Sequence, residues 1–420
     1  MMLDALVARA ALPRLLESLE RIEGGRLTLE MPDGQVRTFG RGEPPVRLTI
    51  KSPAVLRRLL LHGDIGFGES YVDGQWEASD LPAFLTLAAR NEERLGVGGG
   101  IARLFNFKND LLHRRRRNTR RGSRRNVAAH YDLSNAFFRL FLDEDTMAYS
   151  SALFASADQP LAAAQRNKFR ALAGKARFSP EDHVLEIGCG WGGFAVFVAR
   201  EHGCRVTGIT ISREQHRFAR ERVAAAGLQD RVEIRLQDCR DVTGTFDKVV
   251  SIEMFEALGR ENWPAYFRKI EEVLAPNGIV ALQTISIPDH RFESYARHCD
   301  WIQKHVFPGG LLASLHHATG AMIEGSRLVV HHLEDIGAHY ALTLARWRTA
   351  FLANLARVRA LGFDERFVRT WDFYLASCQA LFETRRIGDL QIVLTRPGNE
   401  ALGGVPAAVG ATAPSRRAAA

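Results

Sequence analysis

The chain has 420 residues, of which 46% are hydrophobic and 25% are charged, a composition typical of a globular protein with room for two domains. No stretch approaches the roughly 18 consecutive apolar residues of a membrane-spanning helix, and the charged, amphipathic N-terminus leads us to expect no signal peptide. The five widely spaced cysteines indicate neither a disulfide framework nor a zinc finger, so we expect a cytoplasmic protein without a metal centre.

Residues 1–112 predict a small α+β accessory domain. An amphipathic helix precedes a hairpin with its turn at Pro32-Asp33-Gly34, and short strands and helices follow. The arginine block, residues 114–125, lies in a predicted linker at 113–126. It holds eight arginines and no acid. The charge of this block therefore equals the formal net charge of the whole chain, +8.

The arginine block is expected to stay solvated, either as a plain linker or as an arm that binds phosphates. No aromatic residue is interleaved in it, and no nucleic-acid-binding motif accompanies it. We therefore favour an anionic membrane surface as its partner and expect no nucleic acid.

Residues 127–396 alternate apolar strands with amphipathic helices, a pattern that predicts a doubly wound α/β domain with a parallel sheet. Strands are expected at 184–187, 205–210, 232–236, 248–252, 279–286 and 389–394, with helices between them and at 341–360 and 365–382. Residues 397–420, rich in Gly, Ala and Pro, predict a disordered tail.

The motif VLEIGCGWGG at residues 184–193 is a strand that leads through a glycine turn into a helix, as in nucleotide-like ligand sites. Its glycines also satisfy the dinucleotide pattern G-x-G-x-x-G. Glu186 within the strand, and Thr210 where a dinucleotide site has an acid, favour S-adenosylmethionine instead. Ser212 and Gln215 fit a helix-capping box, a ribose or adenine contact, or both.

Several motifs together resemble the cyclopropane fatty acid synthase family, which includes the mycolic acid cyclopropane synthases. The resemblance covers residues 65–394 and implies a class I methyltransferase (Rossmann-like) fold that binds S-adenosylmethionine. It rests on HYDLSNAFFRLFL, MAYSSALF, VLEIGCGWGG, GITISREQ, MFEALG, DWIQKHVFPGG and the HY of GAHYALTLARW. The implied cofactor-binding residues are Tyr149, Ser150, Glu186, Gly188, Gly190, Gly192, Thr210, Ile211, Gln215, Cys239 and Arg240.

The resemblance also implies a substrate, the double bond of an unsaturated phospholipid acyl chain, and a cyclopropane product. Residues 301–310 would wall the acyl channel. Methyl transfer to an alkene leaves a carbocation, so the site must exclude water until a proton leaves. A methylene-branched or methyl-branched product is the alternative outcome.

In the family, a bound bicarbonate is thought to take the proton. Glu256, Ile285 and Tyr340 match its implied ligands, whereas Ser151 and Gln283 replace the usual cysteine and histidine. Neither replacement titrates near neutral pH, which argues against bicarbonate. Glu256 is then predicted to be the general base or the acceptor that orients one; otherwise it is a surface acid.

These observations predict a peripheral enzyme on the inner face of the membrane, and they leave a homodimer open. Two rival interpretations stay open as well. The chain is either an enzyme of the same fold for a soluble small molecule, or a catalytically silent lipid-binding relative.

Overall fold

The computed structural model describes residues 12–13, 15–95, 122 and 134–402. The elements of its N-terminal part are β1 (Gly25–Glu30), β2 (Val36–Arg41), β3 (Pro45–Ile50), α1 (Ala54–Val72), β4 (Trp76–Ala78), α2 (Leu81–Arg90) and α3 (Glu92–Leu95).

The larger part begins at residue 134. Its elements are α4 (Asn135–Phe138), α5 (Leu161–Lys175), β5 (His183–Ile187), α6 (Gly193–His202), β6 (Arg205–Thr210), α7 (Arg213–Ala225), β7 (Val232–Leu236), β8 (Phe246–Ile252), α8 (Trp263–Val273), β9 (Leu274–Ser286), α9 (Asp289–Arg297), α10 (Trp301–His305), α11 (Leu315–Gly325), β10 (Val329–Asp335), α12 (Gly337–Ala353), α13 (Leu355–Ala360), α14 (Glu365–Glu383) and β11 (Gly388–Thr395).

The smaller sheet has the strand order β2-β1-β3-β4. β1 and β2 are antiparallel, and the amide of Gly34 closes the turn on the carbonyl of Met31, which confirms the predicted hairpin. Leu27 and Leu29 alternate with more exposed residues along β1, so one face of this sheet is apolar and buried.

The larger sheet has the order β10-β11-β9-β8-β5-β6-β7. β5 to β9 pair in parallel, as expected for a doubly wound fold. β11 is antiparallel to β9 and to β10, so the sheet that was predicted to be parallel is mixed at this edge. The sequence analysis also missed β10, because all its residues are exposed and the run VVHHLED has no regular apolar pattern.

The order of the larger sheet determines where a ligand fits. β5 and β8 lie side by side in the middle of this sheet, and the chain continues from β5 to β6 on one side and from β8 to β9 on the other. Open α/β sheets bind ligands at the carboxyl ends of the strands beside such a switch point. The glycine turn that follows Ile187 lies at that position.

The N-terminal part and the larger part share one hydrophobic core. Trp76 is fully buried and packs edge-on against Phe373 of α14. The hydroxyl of Tyr71 donates a hydrogen bond to Asp372 at 2.6 Å, and Arg369 donates to the carbonyl of Tyr71 at 2.6 Å. These contacts fix the small sheet against α14.

Two predicted segments lie outside the described residues, wholly or in part. They are the linker at 113–126 with its arginine block, and the tail beyond residue 402. The beginning of the predicted tail is ordered, because Glu400–Leu402 forms a short helical turn and Asn399 donates to the carbonyl of Gly278 at 3.1 Å. Within the described ranges, every helix is too short or too polar to cross a membrane.

Candidate active site

The turn after β5 forms one side of a cavity of ≈ 190 Å³, which we call the glycine pocket. Gly188 (φ 82°) and Gly190 (φ 52°) adopt left-handed backbone conformations that disfavour a side chain. The amides of Gly188 and Cys189 both donate to the carbonyl of Ile209, at 3.0 and 2.9 Å, and fix the turn against β6. The turn therefore presents bare backbone to the pocket.

Most residues predicted to bind the cofactor line the glycine pocket. They are Tyr149, Ser150, Glu186, Gly188, Gly190, Thr210, Ile211, Gln215, Cys239 and Arg240. Gly192 does not line this pocket, and its cofactor-binding role stays a prediction. It precedes α6 with φ 78°, and a side chain there would meet Cβ of Ala219 at 3.0 Å. Gly192 therefore allows α6 to begin close to α7.

Two buried ionisable side chains lie at the glycine pocket: Glu186 lines it, and Lys168 lies behind Ser150. Lys168 donates from Nζ to Oγ of Ser150 at 2.6 Å, and burial lowers the pKa of Lys168 to about 8. Burial raises the pKa of Glu186 to about 8, and its Oε2 atom has no hydrogen-bond partner among the described residues. A cationic ligand beside Glu186 would lower that pKa again by favouring the carboxylate.

The opposite wall of the glycine pocket carries polar side chains held in place by hydrogen bonds. The amide of Gln215 donates to Oγ of Ser212 at 3.3 Å, which confirms the predicted cap of α7. The side chain of Gln215 does not complete a capping box, because it accepts a hydrogen bond from Thr210 at 2.8 Å. Arg240 forms two side-chain hydrogen bonds to Asp238, at 2.8 and 2.6 Å.

A second, larger cavity of ≈ 960 Å³, which we call the apolar cavity, adjoins the first. Its volume is at the upper end of the about 300–1,000 Å³ range of small-molecule sites. Both parts of the chain form its walls, and most of residues 301–310 contribute to them. Representative lining residues are Leu27, Leu29, Leu48, Phe84, Ala88, Trp301, Phe307, Leu344, Phe373, Tyr374 and Phe382.

Tyr149, Glu253 and Ala257 line both cavities and mark their junction. Tyr149 packs against Trp347 with ring centroids 5.2 Å apart, and its hydroxyl lies 2.9 Å from that of Tyr374. The junction is therefore bounded by aromatic faces on one side and by the carboxyl group of Glu253 on the other.

Glu253 is the central residue of the junction, and the sequence analysis missed it. Its Oε1 atom accepts hydrogen bonds from the amide of Ser151 and from Nε2 of Gln283, both at 2.8 Å. Its Oε2 atom accepts one from the hydroxyl of Tyr340 at 2.7 Å. Three positions predicted to surround an external anion thus surround a carboxylate of the chain itself.

Ser151 and Gln283 are fully buried behind Glu253 and do not line either cavity. The hydroxyl of Ser151 donates to the carbonyl of Ala152 at 3.0 Å, so only its backbone amide reaches Glu253. The amide of Gln283 is fully used, because its oxygen accepts from Gln391 at 3.0 Å and its nitrogen also donates to Asp389 at 2.9 Å.

Glu256 forms a separate contact at the end of β9. Its Oε1 atom accepts from the amide of Ile285 at 2.5 Å and from the hydroxyl of Thr284 at 2.9 Å. Its Oε2 atom is buried and has no hydrogen-bond partner among the described residues. Glu256 and Ile285 line the apolar cavity, which excludes the interpretation of Glu256 as a surface acid.

Burial controls the ionisation of this carboxyl cluster. Burial, together with the charge of the neighbouring Glu253, raises the pKa of Glu256 to about 7. Burial also raises the pKa of Glu253, against the opposing effect of Lys168 and the three donors. The pKa of Asp389 lies well above its ordinary value because of burial and the neighbouring Glu253.

The glycine pocket fits S-adenosylmethionine. The bare turn allows close approach of the ligand, the Thr210 and Asp238 wall offers fixed polar groups, and the unpartnered oxygen of Glu186 suits a cationic ligand. Fold and pocket together define an S-adenosylmethionine-dependent methyltransferase. Solved structures agree in fold, including coclaurine N-methyltransferase at TM-score 0.61 and 19% identity, covering 78% of this chain and 98% of that one.

A family model described as mycolic acid cyclopropane synthetase matches residues 118–392. The chain belongs to this family. The cyclopropane synthase MmaA2 from Mycobacterium tuberculosis is 27% identical with a TM-score of 0.60, covering 64% of this chain and 97% of that chain. CmaA1, solved with S-adenosylhomocysteine and CTAB, is 30% identical with a TM-score of 0.59, with the same coverage.

Two full-length relatives extend the likeness to the N-terminal part. The tuberculostearic acid methyltransferase UfaA1 of Mycobacterium tuberculosis (strain ATCC 25618 / H37Rv) is 40% identical over 383 residues, 89% of this chain and 88% of the relative. The cyclopropane-fatty-acyl-phospholipid synthase of Escherichia coli (strain K12) is 36% identical over 365 residues, 84% of this chain and 89% of the relative.

Proposed function

We propose that the protein transfers a one-carbon unit from S-adenosylmethionine to the double bond of an unsaturated phospholipid acyl chain, giving a cyclopropane. The junction of the two cavities carries this proposal, because Tyr149 and Glu253 line both. The apolar walls suit an acyl chain. The name of the Escherichia coli relative, a cyclopropane-fatty-acyl-phospholipid synthase, supports the same substrate class.

Bound S-adenosylmethionine supplies an electrophilic methyl group. The residues at the junction would stabilise the carbocation that forms on the acyl chain and shield it from water. The faces of Tyr149 and Phe307 have their ring centroids 6.5 Å apart, and Tyr340 stacks on Phe382 at 4.4 Å. Aromatic faces stabilise a cation and exclude the water that would trap it.

Of the two roles left open for Glu256, we propose the orienting one. Its Oε1 atom holds the amide of Ile285 and the hydroxyl of Thr284, the two residues that follow Gln283 in β9. It thereby fixes the strand end from which Gln283 reaches Glu253.

The N-terminal part would present the lipid, since its Leu27, Leu29 and Leu48 line the apolar cavity. The arginine block would hold the enzyme on anionic headgroups at the inner face of the membrane. Each arginine near such a surface contributes about 1 kcal/mol of binding free energy, and this attraction weakens with salt.

A methylene-branched product is a second candidate, favoured by the 40% identity to a protein named tuberculostearic acid methyltransferase. A hydride shift along the chain moves the cation to the carbon that bears the new methyl group. Loss of a proton from that methyl group then leaves a methylene branch on the acyl chain. A methyl branch would need a further reduction.

Expression in a host with unsaturated phospholipids tests the proposal. The fatty acids are extracted and examined by proton NMR, because cyclopropane ring protons and the protons of a methylene branch resonate in different regions. We expect ring protons, whereas methylene protons would identify the second candidate. An unchanged lipid profile would contradict the proposal. If the folded protein still binds S-adenosylhomocysteine, this result favours an enzyme for a soluble small molecule. If it does not bind S-adenosylhomocysteine, the result favours a catalytically silent lipid-binding relative.

A further inference from the structure

We propose that the carboxylate of Glu253 accepts the proton in this reaction and occupies the position that a free anion would otherwise need. The inference rests on the proposed function, and it makes the enzyme independent of bicarbonate. It follows from four features of the junction: the donors around Glu253, the orientation of Gln283, the backbone of Glu253 and its location.

The donors around Glu253 form an anion-binding site filled by a side chain. A backbone amide, a side-chain amide and a phenol, from Ser151, Gln283 and Tyr340, all donate to its two oxygens within 2.7–2.8 Å. They come from three separate segments of the chain that meet only in the folded protein. Donors gathered in this way favour a negative charge at their centre.

Gln283 cannot turn its amide oxygen toward Glu253. Lys175 donates to Oε1 of Gln391 at 2.5 Å, and Nε2 of Gln391 donates to Oε1 of Gln283 at 3.0 Å. This chain of hydrogen bonds fixes the nitrogen of Gln283 toward Glu253, because an amide oxygen can only accept. The position is therefore built to donate to an anion.

The backbone at Glu253 is held in an uncommon conformation. Its φ is +48°, in the left-handed region that a residue with a side chain rarely adopts. Its amide donates to the carbonyl of Gln283 at 2.8 Å, which holds that conformation at the end of β8. Such local strain clusters at functional sites, and here it directs the side chain into the junction.

The location of Glu253 matches the task of a proton acceptor. It lines the glycine pocket and the apolar cavity together, so it touches the space where a donor methyl group and an acyl chain meet. Glu256 lines only the apolar cavity.

Electrostatics make Glu253 a suitable base. Burial raises its pKa, so its carboxylate binds a proton more strongly than an exposed glutamate does. Burial holds the proton of the neighbouring Asp389 in place, since its pKa is well above the ordinary range. Three donors stabilise the negative charge on Glu253, and one of them, Gln283, also donates to Asp389.

The step conserves atoms and charge. The alkene pair forms a carbon–carbon bond to the methyl group as the sulfur–carbon bond breaks, which leaves neutral S-adenosylhomocysteine and a carbocation on the chain. A C–H bond of the transferred methyl group then breaks. Its electrons close the ring, or, after a hydride shift, form the double bond of a methylene branch, and its proton passes to Glu253.

The first experiment compares three glutamate-to-glutamine variants with purified protein and vesicles of oleoyl phospholipid. Glu253→Gln should lower kcat by about 10²–10⁴-fold, because a general base is lost, with the affinity for S-adenosylhomocysteine nearly unchanged. Glu256→Gln keeps an amide oxygen for Ile285 and Thr284 and should lose about tenfold or less. Glu324→Gln, at an exposed position of α11, is the control and should keep full activity.

The second experiment opens the site with Glu253→Gly, which suits the positive φ and leaves three buried donors without an acceptor. Formate or bicarbonate should fill the space and restore activity by roughly tenfold or more. Without substrate, either anion should raise the Tm of Glu253→Gly by about 1–3 °C and leave that of the wild type unchanged. Chloride at equal ionic strength is the control.

Three results would overturn the inference. They are a larger loss in Glu256→Gln than in Glu253→Gln, wild-type turnover that requires added bicarbonate, and a Tm of Glu253→Gly that does not respond to formate or bicarbonate. Failure of the proposed function looks different, because the wild type would then form no lipid product. The Tm response of Glu253→Gly would still be expected in that case.

Discussion

The two cavities of this protein are built in different ways. The glycine pocket is formed mainly by segments that follow the parallel strands β5, β6, β7 and β8, and its central turn is one continuous motif at residues 184–193. The apolar cavity instead takes its walls from β1, β3 and α2, from residues 285–312 and from α14. The first and the last of these elements are separated by more than 270 residues. A local motif thus determines the first cavity, and long-range packing determines the second.

If the glycine pocket depends on its local turn, a single methyl group there should disable it. In Gly188→Ala, the new Cβ would stand 2.8 Å from Cγ of Met254 at a φ of +82°. A left-handed alanine costs about 1–2 kcal/mol, and relaxation of the turn would move the backbone that faces the ligand. We expect the Kd for S-adenosylhomocysteine to rise about 30-fold, as measured by isothermal titration.

Gly227→Ala is the matched control for Gly188→Ala, because Gly227 also has a positive φ, +67°, but lies away from the pocket with open space around it. It should lower the free energy of unfolding by a similar amount and leave the Kd unchanged. An equal rise of the Kd in both variants would show that general strain, rather than the turn, controls binding.

If the apolar cavity depends on the N-terminal part, filling it there should change the preferred chain length. Ala88 of α2 lines the cavity and is half-buried, so Ala88→Trp would shorten the available space. We expect kcat/KM for an 18-carbon acyl chain to fall about tenfold relative to a 14-carbon chain, because the longer chain no longer fits. Product analysis with matched phospholipids measures this ratio.

Ala224→Trp, at an exposed position of α7, is the control for Ala88→Trp and should leave the chain-length preference unchanged. A parallel loss for both chain lengths in Ala88→Trp would mean that the substitution damages the fold. An unchanged kcat/KM for both chain lengths in Ala88→Trp would show that α2 does not contact the lipid.

The sequence predicts the parallel strands and the glycine turn well. A strand that is buried on both faces, such as β5, needs a run of apolar residues, and a turn of bare backbone needs glycines, so both features are visible in the local sequence. It does not predict β10, which is exposed throughout, or the antiparallel direction of β11. The direction of a strand depends on which strands it pairs with in the folded protein, and the residues DLQIVL alone do not determine that direction.

Glu253 was missed for a related reason. In SIEMFEALG it stands three residues before Glu256, and the resemblance directed attention to the second acid alone. One signal was available, because Glu253 directly follows β8, and the carboxyl ends of parallel strands are where ligands bind. The predicted roles of Ser151 and Gln283 toward an external anion stay predictions, and only the folded contacts show that both residues donate to Glu253.

The central claim is that the donor and the lipid meet across Glu253, and a crystal structure with S-adenosylhomocysteine and an oleoyl phospholipid tests it most directly. We predict the sulfur atom in the glycine pocket, the acyl chain in the apolar cavity, and the double bond between the sulfur and the carboxylate of Glu253. An acyl chain bound elsewhere, or a double bond separated from the sulfur by protein side chains, would contradict the account.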